Sequence, residues 1–84
     1  MKAIILNFFG ERIAKIEFER NSEEEDIVRK KLREFSEFET EIVKGVKGLS
    51  NMVARIRFKR EDEEKVIKKL KENGICVDVR KYGW

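Results

Sequence analysis

The sequence contains no histidine, no proline and no glutamine, and Cys76 is its single cysteine. Histidine is the commonest general base of enzymes and the commonest metal ligand, so its absence excludes most hydrolase and metalloenzyme templates. One cysteine cannot form an internal disulfide or a zinc site of several thiolates. Without a histidine to activate its thiol, Cys76 is typical of a small packing residue in a strand. We therefore predict a non-enzyme without catalytic residues, metal site or cofactor.

Long apolar segments are absent as well. The N-terminal apolar run is interrupted by Asn7 and followed by Glu11 and Arg12, and no stretch comes near the roughly 18 apolar residues that a membrane span needs. The run also lacks the small-residue cleavage site of a signal peptide. A chain of 84 residues has room for one domain. We expect a single soluble domain, residues 1–84, and a cytoplasmic location, since a chain with one cysteine suits a reducing compartment.

Charged residues, in contrast, make up 44% of the chain, with 20 lysines and arginines against 17 aspartates and glutamates. A composition dominated by Lys, Arg and Glu is similar to that of hyperthermophile proteins, which are enriched in ion-pair networks. The distribution is uneven, because residues 43–60 hold no acidic residue. The basic residues of this segment are the candidate contacts to nucleic acid or an acidic partner: Lys44, Lys47, Arg55, Arg57, Lys59 and Arg60.

Five segments carry the pattern of a strand. They are residues 2–9, 12–20, 38–44, 51–59 and 75–82. Alternation is clearest in the second and fourth segments, whose apolar residues share one face: Ala14, Ile16 and Phe18 in the second; Met52, Ala54, Ile56 and Phe58 in the fourth. In the last segment we expect Ile75, Val77 and Val79 to be buried.

Two amphipathic helices are predicted between these strands. The first begins at Ser22, where Ser22 and Glu25 fit a capping box in which each side chain bonds to the backbone N–H of the other residue. Its apolar stripe continues to about residue 36: Ile27, Val28, Leu32 and Phe35. The second runs from about residue 62 to 73, with a stripe of Val66, Ile67 and Leu70. It ends at Asn73-Gly74, where Gly74 takes the left-handed position.

From residue 12 onward the order is strand, helix, strand, strand, helix, strand, which is the split βαβ or ferredoxin-like order. Because each helix is apolar on one side only, both should cover the same face of an antiparallel sheet and leave the other face open. The N-terminal strand at 2–9 is additional to this α+β fold. It could continue into the next strand with a bend at Gly10, create a variant topology, or pair elsewhere, including with another subunit.

Arg55, Arg57 and Lys59 alternate along one strand and should lie together on the open face. One interpretation is nucleic-acid binding, because RNA-binding domains of this fold use that face. However, outward aromatic residues for base stacking are missing from the interior strands. The other interpretations are a cross-strand charge ladder with glutamates such as Glu39 and Glu41, or contact with an acidic protein.

Two further segments allow more than one interpretation. Lys44-Gly45-Val46-Lys47-Gly48 is typical of a hairpin loop, although glycines between lysines can also present backbone N–H groups to a phosphate. At the C-terminal end, Tyr82 and Trp84 either pack on the chain's own core or anchor an interface, since Tyr and Trp are common interface anchors. With Phe9, they are the interface candidates.

The stretch from Val53 through Val79 contains Val-Ala-Arg-Ile-Arg-Phe and then Glu-Lys-Val-Ile-Lys-Lys-Leu-Lys-Glu-Asn-Gly-Ile-Cys-Val-Asp-Val. It resembles the second half of ACT-type and NIL-type regulatory domains, which often run strand, helix, Leu-x-x-x-Gly-Ile/Val, strand. Those domains are ferredoxin-like, so the resemblance implies that fold and a role in binding small molecules. It includes no ligand-specific motif and assigns no site residue.

Taken together, these patterns predict a small binding or assembly module. We expect a homo-oligomer or a protein partner, with contact through a sheet edge or the open face, or a small ligand bound there. The alternative is a nucleic-acid-binding protein that uses Arg55, Arg57, Lys59 and the loop 44–47.

Overall fold

A computed structural model describes residues 1–80, apart from the side chain of Phe8. The chain forms the strands and helices in the predicted order: β1 Lys2–Phe8, β2 Glu11–Glu19, α1 Glu23–Leu32, β3 Glu39–Lys44, β4 Asn51–Lys59, α2 Glu63–Glu72 and β5 Cys76–Val79. One-turn 3₁₀ helices at Arg33–Phe35 and Arg60–Asp62 adjoin α1 and α2. The predicted ends of these elements agree with the observed ones to within a few residues, except that the predicted end of the last strand, residue 82, lies outside the described residues.

The strands form one five-stranded mixed sheet in the order β3-β4-β2-β1-β5. Neighbouring strands are antiparallel except for β1 and β5, which are parallel. The molecule is thus α+β, with β3 and β5 at the two edges of the sheet that residues 1–80 form. β5 is the shortest strand, at four residues.

The N-terminal strand takes the variant topology. β1 and β2 are joined by Phe9 and Gly10, whose φ angles of 46° and 86° are those of a two-residue hairpin turn with both central residues left-handed. β1 then lies between β2 and β5 rather than at an edge. Of the arrangements open to residues 2–9, the structure thus has β1 inside the sheet, paired with β2 on one side and β5 on the other.

Both helices pack on the same face of the sheet. Val28 of α1 and Val66 and Leu70 of α2 are buried in one cluster with Phe35 and with strand residues. The strand residues of the cluster are two from β1 and six that alternation predicted: Ala3 and Ile5; Ala14, Ile16, Phe18, Ala54, Ile56 and Phe58. Met52, which alternation also predicted, is partly buried against the cluster. No helix within residues 1–80 is long and apolar enough to cross a membrane.

Three burial predictions are wrong. Ile27 is 42% exposed because it lies next to Val28 on a short helix, and successive helical residues point about 100° apart. Val79 is 47% exposed near the end of the edge strand β5, where residues 1–80 supply no further strand. Cys76 is exposed rather than packed, because Ile75 and Val77 take the positions that face the core.

The helix ends differ in how well they were predicted. At α1 the capping box does not form: Ser22 Oγ donates to Glu19 O at 2.5 Å, and Glu25 Oε1 accepts from the backbone N–H of Asn21 at 2.9 Å. That hydrogen bond, and after it Arg29, lowers the pKa of Glu25.

At the end of α2, Gly74 has the predicted positive φ, 74°. The Ile75 N–H donates to Leu70 O and the Gly74 N–H donates to Lys71 O, both at 3.0 Å, which is the Schellman motif.

Candidate functional site

The face of the sheet opposite the helices, called here the open face, carries side chains in rows that cross the strands. The central row contains Glu41 of β3, Arg55 of β4, Lys15 of β2, Ile4 of β1 and Asp78 of β5. A neighbouring row contains Glu39, Arg57, Ile13 and Leu6. The character of the open face therefore changes across the sheet, from alternating charges over β3 and β4 to aliphatic side chains over β1.

The β3–β4 side of the open face is a charge ladder. Arg55 Nη1 lies 3.3 Å from Glu41 Oε1, and Arg57 Nη2 lies 4.0 Å from the same oxygen. Both arginine side chains are about one-third exposed. The ion pairs expected of a cross-strand ladder thus form here, and Glu41 partly neutralises both cations.

Lys15, one strand further on, has no such partner. The strand register places Ile4 on one side of it and Arg55 on the other. Its side chain is half-buried, and it makes no hydrogen bond or ion pair within residues 1–80. Like charges directly opposite each other on neighbouring strands are destabilising. The Lys15–Arg55 pair is therefore a place where an additional anion would lower the energy.

A cleft of about 570 Å³ opens beside Lys15, above β1 and β2. Its lining combines two aliphatic side chains, four cations and one carboxylate: Ile4, Leu6, Lys2, Lys15, Lys47, Arg80 and Glu17. Small-molecule sites have volumes of roughly 300–1000 Å³ and join apolar surface to a few polar groups. The cleft has the size and the composition of such a site.

Ion pairs lie on both sides of the cleft. On the β2 side, Lys47 Nζ lies 2.8 Å from Glu17 Oε2. On the β5 side, Asp78 Oδ2 lies 3.7 Å from Lys2 Nζ and 3.5 Å from Arg80 Nε. All five side chains are well exposed, so these pairs are weak and can exchange partners.

The loop 45–50 carries Lys47 to the cleft, and hydrogen bonds fix its shape. Asn51 accepts at its side-chain oxygen from the Lys47 N–H at 3.2 Å and at its backbone oxygen from the Gly45 N–H at 2.7 Å. The Arg20 N–H donates to Ser50 O at 2.7 Å, which ties the loop to the end of β2. The loop is thus a hairpin connection that positions one lysine over the sheet.

The sequence-predicted basic residues are not gathered in one place. Of the six, Lys47 lines the cleft, and Arg55 and Arg57 lie in the ladder. Lys44 ends β3, whereas Lys59 and Arg60 lie where β4 meets the turn before α2. Among the interface candidates, Phe9 is 90% exposed at the β1–β2 turn. Tyr82 and Trp84 lie outside the described residues.

Sequence reasoning missed the other cations of the cleft: Lys2, Lys15 and Arg80. Lys15 could have been found, because it occupies the polar face of an alternating strand. Lys2 and Arg80 could not, because they join the site only when β1 is placed between β2 and β5.

The Glu37 carboxylate and its two lysine partners lie apart from this lining. Glu37 accepts hydrogen bonds from Lys65 Nζ at 2.8 Å and Lys69 Nζ at 2.9 Å, which lower the pKa of Glu37 to about 2. The contact with Glu37 in turn raises the pKa of Lys65. Within residues 1–80, no three Cys, Asp and Glu side chains are grouped as ligands for a metal ion. The chemistry that the cleft itself supports is the binding of anions.

Comparison of the chain with protein-family models, with curated proteins and with solved structures finds no match.

Proposed function

We propose that the chain is a non-enzymatic binding module whose open-face cleft takes up a small anionic ligand with an apolar body. The observation that carries the proposal is Lys15, a half-buried cation beside Arg55 that has no carboxylate partner within residues 1–80. An anion bound at Lys15 reduces the repulsion and supplies the missing partner. Ile4 and Leu6, in the same cleft, offer apolar surface for the rest of the ligand.

We also propose that the sheet is a ferredoxin-like arrangement with β1 added to it. Without β1, the other strands stand in the order β3-β4-β2-β5, with α1 and α2 as the two crossovers, which supports this proposal. The resemblance of residues 53–79 to regulatory domains adds the expectation that the bound ligand acts as a signal rather than as a substrate.

Nucleic-acid binding through Arg55, Arg57 and Lys59 is the second candidate. It is favoured by the position of all three residues on one strand of an open sheet face. It is weakened by Glu41, because a phosphate that approaches Arg55 or Arg57 has to displace an intramolecular carboxylate. Lys15 carries no such cost, so the cleft is the better anion site.

Titration of the ¹⁵N-labelled chain with naphthalene-2-sulfonate, a monoanion with an apolar body, tests the cleft. We expect saturable binding at low ionic strength, with the largest amide shifts in β1, β2 and residues 45–50. Replacement Lys15→Glu should weaken binding about tenfold or more, because a charge-assisted contact becomes a repulsive one.

Lys59→Glu is the matched control, since it makes the same charge change at the far end of β4. It should leave the affinity nearly unchanged. Equal weakening by the two variants, amide shifts centred on residues 55–59, or an absence of saturable binding would each contradict the proposed site.

A further inference from the structure

The cleft has cations on both sides of its apolar floor. Ile4 and Leu6 lie on β1, which is flanked by β2 on one side and β5 on the other. Lys15 and Lys47 stand on the β2 side, whereas Arg80 directly follows β5. Lys2, although on β1, has its ammonium group near Asp78 on the β5 side.

We infer that the ligand of the open-face cleft is a small dianion, with two anionic groups separated by a flat or extended apolar body that lies over β1. This inference rests on the proposed function and specifies the ligand class of the same site. Neighbouring strands are about 4.8 Å apart, so the backbones of β2 and β5 are roughly 10 Å apart across β1. A two-ring aromatic body or a chain of several methylenes covers that width.

The charge on each side supports one anion there. On the β2 side, Lys15 and Lys47 face one carboxylate, Glu17. On the β5 side, Lys2 and Arg80 face one carboxylate, Asp78. Each side thus holds two cations and one carboxylate, which leaves a net charge of +1. A monoanion can neutralise the charge of one side only, whereas a dianion can neutralise both sides.

The floor between the two sides makes an apolar body part of the inference. Ile4 lies between Lys15 and Asp78 in the central row, and Leu6 follows on the same face of β1. Both side chains are half-buried and line the cleft. A fully hydrated dianion such as sulfate leaves this surface in water, whereas an apolar body removes it from water and adds to the affinity.

Calorimetric titration with two probes of the same body measures the contribution of the second anion. The full chain is titrated at low ionic strength with naphthalene-2-sulfonate and with naphthalene-2,6-disulfonate. We expect the disulfonate to bind about tenfold more tightly, because it gains one further charge-assisted contact. Equal affinities for the two probes, both bound in the cleft, would overturn the inference and leave the proposed site intact.

Neutral variants on each side locate the two contacts. Lys15→Gln and Arg80→Gln should each bring the ratio of the two affinities close to one, since each leaves a single cationic side. Lys59→Gln removes a cation outside the cleft and should keep the wild-type ratio. If neither Lys15→Gln nor Arg80→Gln changes the ratio, the second anion does not bind across β1 and the inference is wrong.

Two further outcomes would overturn the proposed function together with this inference. If neither naphthalene probe produces amide shifts in β1 and β2, the cleft is not a ligand site and both proposals fail. If a thymidine decamer binds more tightly than the disulfonate and loses affinity on Arg57→Gln and Lys59→Gln, the open face binds single-stranded nucleic acid. That result would contradict the inference that the ligand is a small dianion.

Discussion

Gly45 occupies a position where the chain has no room for a side chain. A Cβ at this residue would collide with the side-chain amide of Asn51, whose oxygen accepts the Lys47 N–H. Gly48, in the same loop, has open space at the corresponding point. The two glycines that suggested a phosphate-binding loop therefore differ: the first is required by packing against Asn51, and nothing near the second excludes a side chain.

Replacement Gly45→Ala should displace Asn51 and loosen the loop that carries Lys47. We expect a loss of about 1–2 kcal/mol in the free energy of unfolding, measured by urea denaturation. Gly48→Ala should change this free energy by less than about 0.5 kcal/mol. An equal loss in the two variants would show that the loop, rather than the contact with Asn51, determines the cost.

At the scale of elements, the segment between α1 and β3 is attached to α2 by its own side chains. Phe35 is fully buried, and Lys69 Nζ lies 5.6 Å from the centre of its ring. Lys69 also donates to Glu34 O at 2.8 Å and, like Lys65, to the carboxylate of Glu37. Two lysines of α2 thus connect this helix to the segment that follows α1.

Glu37 makes this attachment dependent on pH. Its pKa falls from 4.5 to about 2 on folding, because the folded state hydrogen-bonds the ionised form to Lys65 and Lys69. The stabilisation is complete above pH 4.5 and is lost as the pH falls towards 2. Glu37→Gln should therefore be less stable than the wild type at neutral pH, and the difference should shrink between pH 4.5 and 2.

Urea denaturation of both proteins across that pH range measures the difference. The effect should be small and should decrease with salt, since the carboxylate and the lysines are solvent-exposed. Glu34→Gln is the control, because Lys69 contacts only the backbone of Glu34. A difference between Glu37→Gln and wild type that does not change with pH would contradict the role given to the carboxylate.

The elements themselves were predictable because their signals are local. Alternation identified the core-facing residues of β2 and β4, and Gly74 marked the end of α2 through a backbone angle that glycine adopts freely. The wrong prediction at the start of α1 concerns which of several nearby groups forms each hydrogen bond. Ser22 and Glu25 have the capping-box spacing, yet the chain turns so that Asn21 meets Glu25 and Ser22 meets Glu19. Spacing alone does not distinguish these alternatives.

For the whole molecule, the position of β1 in the sheet determines both the packing around Ile5 and the formation of the cleft. Ile5 is fully buried on the interior strand β1, next to Ala14 on β2 and Val79 on β5. Sequence patterns predicted that β1 exists but not where it pairs, because strand pairing depends on contacts between distant residues. The cleft was unpredictable for the same reason, since its floor and the cations of one side come from β1 and the segment after β5.

Ile5→Ala should therefore destabilise the whole molecule. We expect a loss of about 2–5 kcal/mol in the free energy of unfolding, as for other fully buried isoleucines that are cut back to alanine. Ile27→Ala removes the same atoms from an exposed site on α1 and should cost less than about 0.5 kcal/mol. Urea denaturation of both variants measures the contrast, and similar losses would argue against β1 as an interior strand of the sheet.

The parallel pairing of β1 with β5 also has a consequence for how the chain folds as it is made. β1 and β2 can close as a local hairpin early, but the other edge of β1 waits for a strand at the opposite end of the described chain. Pairing between such distant segments slows folding, because a long loop has to close first. Until then β1 presents an unpaired edge that other extended chains can join. During synthesis the chain thus passes through an interval in which a strand that is interior in the folded sheet has one edge unpaired.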